Sequence, residues 1–298
     1  MTRFVRQTLS TLTYRALQLR LRNGQAQGLR ILMYHRVTDA HPRDRLCVPV
    51  ARFAQQMQCL HDAGYASVSF AQAVAWVSQG VALPPKAIAV TFDDGFEDNF
   101  LYAHPALARH GFTGCFFIPS GFITAGKTDA VRPEDWPMTW VQLRELVQRG
   151  HEIGAHSVSH RKLARLSPEQ MQQEVQQSKA MLEQQLERPV DWFCYPAGDY
   201  NASVKAAVQA GGYHGACTVE PGANLPGGDP FALKRTEISA FDSLWDFEKK
   251  LAGAYDWMHA AMQAVQRIRP ARECANATLP DREIAKSRES AKRDEHGS

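Results

Sequence analysis

Apolar residues along this chain fall into short runs, each closed by a polar or glycine-containing stop. The clearest is Ile88-Ala-Val-Thr-Phe92, which ends at Asp93-Asp94-Gly95. A strand buried on both faces reads this way, apolar through its body and polar at its carboxyl end. Runs at 29–34, 66–70, 112–118, 151–155, 190–195 and 213–219 predict further strands, with a last one at 233–238. Between them the apolar period switches to that of a helix. Residues 49–64 place Phe53, Met57 and Leu60 on one face, with Gly64 past the end. Helices are predicted in the same way at 71–78, 97–110, 139–149, 201–210 and from 243 to about 266. Ser167-Pro168-Glu169 opens a long polar helix, with serine as N-cap and proline at the first helical position.

Strand and helix thus alternate with short links, the signature of βαβ units and a parallel sheet. The expected fold class is α/β, a closed or nearly closed (β/α) barrel of about seven parallel strands. An open doubly wound sheet is the alternative, but no GxGxxG marks a dinucleotide site. In either architecture ligands gather at the carboxyl ends of the strands, which directs attention to what stands there.

The two ends of the chain differ from this middle. Residues 1–28 carry Arg3, Arg6, Arg15, Arg20 and Arg22, no acid, and Val5, Leu9, Leu12 and Leu19 at helical spacing. They predict a basic amphipathic helix, which either lies on an anionic membrane surface or packs its leucines on the domain. Residues 267–298 are polar with dense mixed charge and predict a disordered tail.

Composition adds limits. A chain of 298 residues, 44 % hydrophobic, can bury one large core or two small ones. A formal net charge of +3 gives no argument for nucleic acid as a partner. The six cysteines form no CxxC pair, and Cys115, Cys194 and Cys217, inside apolar runs, read as small core residues in a reducing compartment. No stretch has the length of a membrane span and the N-terminus lacks an apolar signal core. The expected location is cytoplasmic, with possible contact at the inner face of the membrane through residues 1–28.

The candidate chemistry stands at the strand ends. Asp93 and Asp94 are adjacent carboxylates that raise each other's pKa unless a cation relieves them. Taken alone, Asp93-Asp94-Gly95 is an ordinary turn. A second stretch changes that reading: Gly154-Ala-His156-Ser-Val-Ser-His160 also follows a strand. A spacing of four puts both imidazoles on one face of a helical turn, able to reach one ion. With Asp94 as a hard oxygen ligand the set suits one divalent metal, Zn²⁺ first, with Co²⁺, Ni²⁺ or Fe²⁺ as alternatives. His35, in Leu32-Met-Tyr-His35, and the stretch Trp192-Phe-Cys-Tyr195-Pro-Ala197-Gly198 end strands in the same way.

TFDDG at 91–95 followed by HSVSH at 156–160 resembles the polysaccharide deacetylase family (NodB homology, carbohydrate esterase family 4), over about residues 29–240. The early LMYH and the FCYPAG stretch resemble the branch of poly-N-acetylglucosamine deacetylases. The resemblance implies a distorted (β/α) barrel (the NodB-homology fold) within a catalytic domain at 29–266, and metal-dependent removal of N-acetyl groups from amino sugars. It implies Asp93 as general base, Asp94, His156 and His160 as metal ligands, His35 as general acid and the Ala197 backbone N–H as oxyanion donor. The family's third motif usually begins with an arginine that orients the base, and FCYPAG has none. Arg235, just before the last predicted strand, is the candidate substitute, with Tyr195 as another outer-shell candidate. The expected partner is an N-acetylated polysaccharide, oligosaccharide or lipid-linked glycan. The rival substrates are an O-acetyl ester or peptidoglycan, and the rival class is a non-catalytic carbohydrate-binding barrel.

Overall fold

The computed structural model describes residues 10, 11, 13, 14, 28–125 and 132–256. In chain order the elements are β1 (Arg30–Tyr34), β2 (Arg36–Val37), β3 (Cys47–Val48), α1 (Val50–Asp62), β4 (Ala66–Ser67), α2 (Phe70–Gln79) and β5 (Ala87–Phe92). A π-helical turn (Asn99–Ala103), α3 (His104–Ala108), β6 (Cys115–Ile118), α4 (Ser120–Ala125), α5 (Trp140–Gln148) and β7 (Glu152–Ala155) follow. The described chain ends with α6 (Pro168–Leu186), β8 (Trp192–Cys194), α7 (Ala202–Ala210), β9 (Gly215–Cys217), β10 (Thr236–Glu237) and α8 (Leu244–Leu251).

The main sheet runs β10-β1-β5-β6-β7-β8-β9, every pair parallel, with β4 on the first residues of β5. It is a curled, distorted (β/α) barrel. The segment leading into β10 ties the two edges together. Leu233 bridges Cys217 of β9, and Thr236 and Glu237 then pair with Leu32 and Met33 of β1. Arg235 lies at this seam. The strands are buried on both faces because helices cover the outside and side chains fill the inside. Leu32, Tyr34, Val90, Phe92, Phe116 and Phe193 belong to the larger core cluster, and Ile31, Ala89, Phe117 and Cys194 to a smaller one. All strands point the same way, so their carboxyl ends, and the polar stops read from the sequence, share one end of the sheet.

Most predicted boundaries shift by a few residues, and four of the changes have a clear local reason. The run 66–70 gives only Ala66–Ser67 as strand. Ser69 and Gln72 form a reciprocal capping box that starts a helix at Phe70. The predicted helix 97–110 is wound as a π turn and then a short α-helix, because Pro105 has no N–H to donate back to the preceding turn. The last strand shrinks to Thr236–Glu237 as its first residues pair with β9 instead. The predicted helix from 243 stops at Leu251. Gly253 then turns at φ 79°, with Arg30 Nη2 so close that a Cβ there would lie 2.1 Å from it.

Of the basic N-terminal stretch only Ser10, Thr11, Thr13, Tyr14 and Gly28 are described, and the charged tail lies outside the described residues. Ser10 accepts a hydrogen bond from Lys249 Nζ at 3.1 Å. The Tyr14 ring meets Trp245 edge-on at 4.9 Å and clusters with Ala252 and Ala254. Among the described residues no helix is long and apolar enough to cross a membrane. The five described cysteines are free thiols.

Candidate active site

β5 ends at Phe92, and its next two residues diverge in fate. Asp93 points into the barrel, with 2 % of its surface exposed. Asp94 turns outward at φ 73°, a left-handed conformation that aspartate tolerates better than most residues. Gly95 continues the turn at φ 67°, where an added Cβ would meet Ile118 Cδ1 at 3.1 Å. The turn is pinned from the far side: Met138 N–H donates to Gly95 O at 2.9 Å, and Phe96 bridges Pro137.

Asp93 is clamped by Arg235. Nη1 donates to Oδ1 and Nη2 to Oδ2, each at 2.7 Å, a bidentate pair with the guanidinium wholly buried. Arg235 is itself held by the Thr218 carbonyl, 2.8 Å from Nε, and by Thr91 Oγ1 at 3.1 Å. Burial pushes the Asp93 carboxyl up. The Arg235 charge and its hydrogen bonds, helped by His156 and His35, outweigh burial and hold it well below the usual carboxylate range. His35 Nε2 lies 4.0 Å from Asp93 Oδ2. Its backbone carbonyl accepts from Asn99 Nδ2 at 3.0 Å, and its buried Nδ1 has no partner among the described residues.

Asp94, His156 and His160 converge. Asp94 Oδ1 lies 3.6 Å from His156 Nε2 and 3.3 Å from His160 Nε2. His156 is buried at the end of β7, and its Nδ1–H donates to the Cys194 carbonyl at 2.7 Å. That bond fixes the tautomer with Nε2 as the free acceptor. The helical turn expected from the spacing of the two histidines is not there. Ser157 (φ 62°) and His160 (φ 57°) are both left-handed, and the segment is an irregular loop that folds the two rings to a centroid distance of 4.7 Å. The result is the same convergence by a different backbone. The donor chemistry fits a metal: ligands about 2.0–2.1 Å from one tetrahedral Zn²⁺ stand roughly 3.3 Å apart, close to the separations seen. All three ligand atoms lie within 4.8 Å of one another.

The remaining predicted positions are peripheral. Ala197 follows β8 at φ 53° and is exposed. The next residue, Gly198, sits against Val219, where a Cβ would come within 2.3 Å of Cγ2. The Tyr195 hydroxyl turns away to the Phe231 carbonyl at 3.0 Å, and its ring stacks on Tyr200. Its side chain is therefore core. One residue read as core from the sequence is core and also touches the site. Cys194 Sγ lies 3.6 Å from Asp93 Oδ2 and 3.1 Å from Arg235 Nη2, and burial keeps its thiol protonated. Its place at the end of a strand, inside the FCYPAG stretch, was the available signal.

Residues 80–216 match the family model described as polysaccharide deacetylase. The Bacillus subtilis protein YxkH, which is named after the same family, is 31 % identical over 211 residues, 71 % of this chain and 71 % of that protein. The chain belongs to the polysaccharide deacetylase family. The poly-β-1,6-N-acetyl-D-glucosamine N-deacetylase of Escherichia coli K12 is 25 % identical over 138 residues, 44 % of this chain and 20 % of that protein. Among solved structures, the Streptococcus pyogenes deacetylase PplD, in complex with acetate, superposes with a TM-score of 0.69 at 25 % identity, covering 76 % of this chain and 99 % of PplD. IcaB from Ammonifex degensii, at 24 % identity and a TM-score of 0.67, shares the fold over 78 % of this chain and 98 % of IcaB.

Proposed function

We propose that this deacetylase removes N-acetyl groups from an N-acetylated amino-sugar glycan, with one divalent metal, Zn²⁺ first, held by Asp94, His156 and His160. The observation that carries the reading is the juxtaposition of that donor set with an arginine-clamped carboxylate and a histidine 4.0 Å from it. A metal bound there supplies a Lewis acid for the acetyl carbonyl and makes water acidic enough to attack near neutral pH. Each carboxylate oxygen has two lone-pair directions, and Arg235 occupies one on each, so Asp93 keeps an acceptor free for the proton of the attacking water. As the new C–O bond forms, the Ala197 N–H is the candidate donor to the oxyanion, a contact of a kind worth about 10² to 10³ in rate. His35 then delivers a proton to the sugar nitrogen as the C–N bond breaks, so that a neutral amine and acetate leave.

The amide is favoured over an O-acetyl ester because an amine leaves only when its nitrogen is protonated, whereas an ester oxygen leaves more readily, and a histidine beside the base can serve as that general acid. The name of the E. coli relative supports an N-acetylglucosamine polymer as the substrate class. Incubation with matched N-acetylated and O-acetylated oligosaccharides, with acetate as the readout, tests the reading. We expect release from the N-acetyl series and its loss on chelation. Release from the O-acetyl series alone would replace the N-deacetylase by an esterase.

A further inference from the structure

The two histidines of the metal set are supported unequally. His156 ends a strand, its N–H donates to the Ile118 carbonyl at 3.0 Å, and its ring is fixed by Cys194. His160 sits beyond it, on a loop with two left-handed residues that cost energy to maintain. What holds this loop comes mainly from α6. Glu174 Oε2 accepts the N–H groups of both Val158 and Ser159, each at 2.9 Å, and Oε1 accepts the Ser159 hydroxyl. One turn on, Ser178 Oγ donates to the Ser157 carbonyl at 2.9 Å. From the other side α4 adds Ser120 N–H to the same carbonyl and Gly121 N–H to Val158 O. Within the loop, Ser157 Oγ accepts His160 N–H at 3.0 Å.

We propose that Glu174 is a positioning residue of the metal site: its carboxylate gathers the amides of 158 and 159 and so holds His160 where it can share an ion with Asp94 and His156. The proposal rests on the metal reading above. Consecutive N–H groups turned to one side need an anionic or carbonyl acceptor, and Glu174 meets both from a half-buried place on a helix whose core face carries Val175, Leu182 and Leu186. The residue touches neither metal nor substrate, so its contribution is to pre-organise a ligand, and outer contacts of this kind set affinity.

The test is zinc affinity, by competition with a chelator of known strength, in wild type, Glu174→Ala and Glu174→Gln. Alanine keeps the helix and removes the acceptor. Glutamine keeps one oxygen for the two amides. The alanine variant is expected to bind zinc about 10- to 100-fold more weakly. Its metal-free melting temperature should stay close to wild type, and the 158 and 159 amides should exchange faster with solvent. The glutamine variant is expected to recover most of the affinity. Wild-type affinity in Glu174→Ala, or no recovery in Glu174→Gln, would overturn the proposal. A wild type that binds no zinc would overturn the metal reading itself.

Discussion

At the residue scale the site depends on a charge balance inside a closed space. Asp93 and Arg235 are both buried, and neither tolerates loss of the other: a buried ion stripped of its partner costs about 3–5 kcal/mol. Arg235 therefore keeps Asp93 ionised and fixes the direction of its free lone pairs. Its low pKa makes Asp93 a weak base in isolation, so in the role proposed for it the water would have to be acidified by a metal held at Asp94, His156 and His160. Asp93→Asn leaves Arg235 without its counter-charge and is expected to lower stability; in the folded protein metal content should stay intact and turnover fall by about 10² or more. His35 separates from a structural role by choice of substrate. His35→Ala should cripple hydrolysis of an N-acetyl sugar and largely spare an activated aryl acetate, whose leaving group needs no proton. Equal loss on both substrates would remove His35 from the acid role. The histidines and aspartates of this set were legible as residue types at strand ends. The participation of Cys194 and Glu174 was not. One looks like any small core residue, and the other like any glutamate on a polar helix. Only folding brings the first to Asp93 and the second to the loop at 158.

At the scale of elements, strand bodies were legible and their limits were not. Periodicity reports which segments are buried. Capping by Ser69, the missing N–H of Pro105 and the close approach of Arg30 to Gly253 decide where they stop. Spacing likewise put the two metal-set histidines together but gave the wrong backbone, because nothing in HSVSH announces two left-handed residues. A second histidine pair ties α3 to β7, away from the site. His151 Nε2 and His104 Nδ1 are 2.8 Å apart, and His151 Nδ1 accepts the Gly114 N–H at 3.0 Å. Both acceptor roles require neutral rings. Burial, then repulsion from His104, hold His151 down to about 4, against an ordinary value of 6.5. The depressed value favours the neutral form in the fold. The contribution is complete above about pH 6.5 and is lost as pH falls toward 4, up to about 3 kcal/mol. His151→Asn retains an acceptor for Gly114 and does not titrate. Thermal melts between pH 7.5 and 4.5 should fall more steeply for wild type than for this variant, and parallel curves would refute the linkage.

Across the whole molecule, the architecture follows from one rule: parallel strands send all their ends to one side, so residues far apart in sequence meet there. His35, Asp93, His156 and Arg235 come from β1, β5, β7 and the approach to β10, and the alternation of runs was enough to place the first three. Arg235 reaches the base only because its segment switches partner from β9 to β1, which no local pattern predicts. The N-terminal stretch is the other feature at this scale. Ser10 and Tyr14 pack on α8, while the leucines and the five arginines of residues 1–28 lie outside the described residues. We propose that these arginines also draw the enzyme to anionic membrane. Exchanging Arg3, Arg6, Arg20 and Arg22 for glutamine leaves Tyr14 in place. It should weaken co-sedimentation with anionic vesicles at low salt, and unchanged binding would leave the stretch as packing alone.

The central claim is that Asp94, His156 and His160 hold the metal on which deacetylation depends. Its most direct measurement is elemental analysis of wild type and His156→Ala after zinc loading and desalting, with acetate release from an N-acetylated oligosaccharide followed on the same samples. The account predicts about one zinc per wild-type chain, most of it lost in the variant, and activity lost with it. Equal, substoichiometric metal in both proteins, or full activity in a variant without metal, would contradict it.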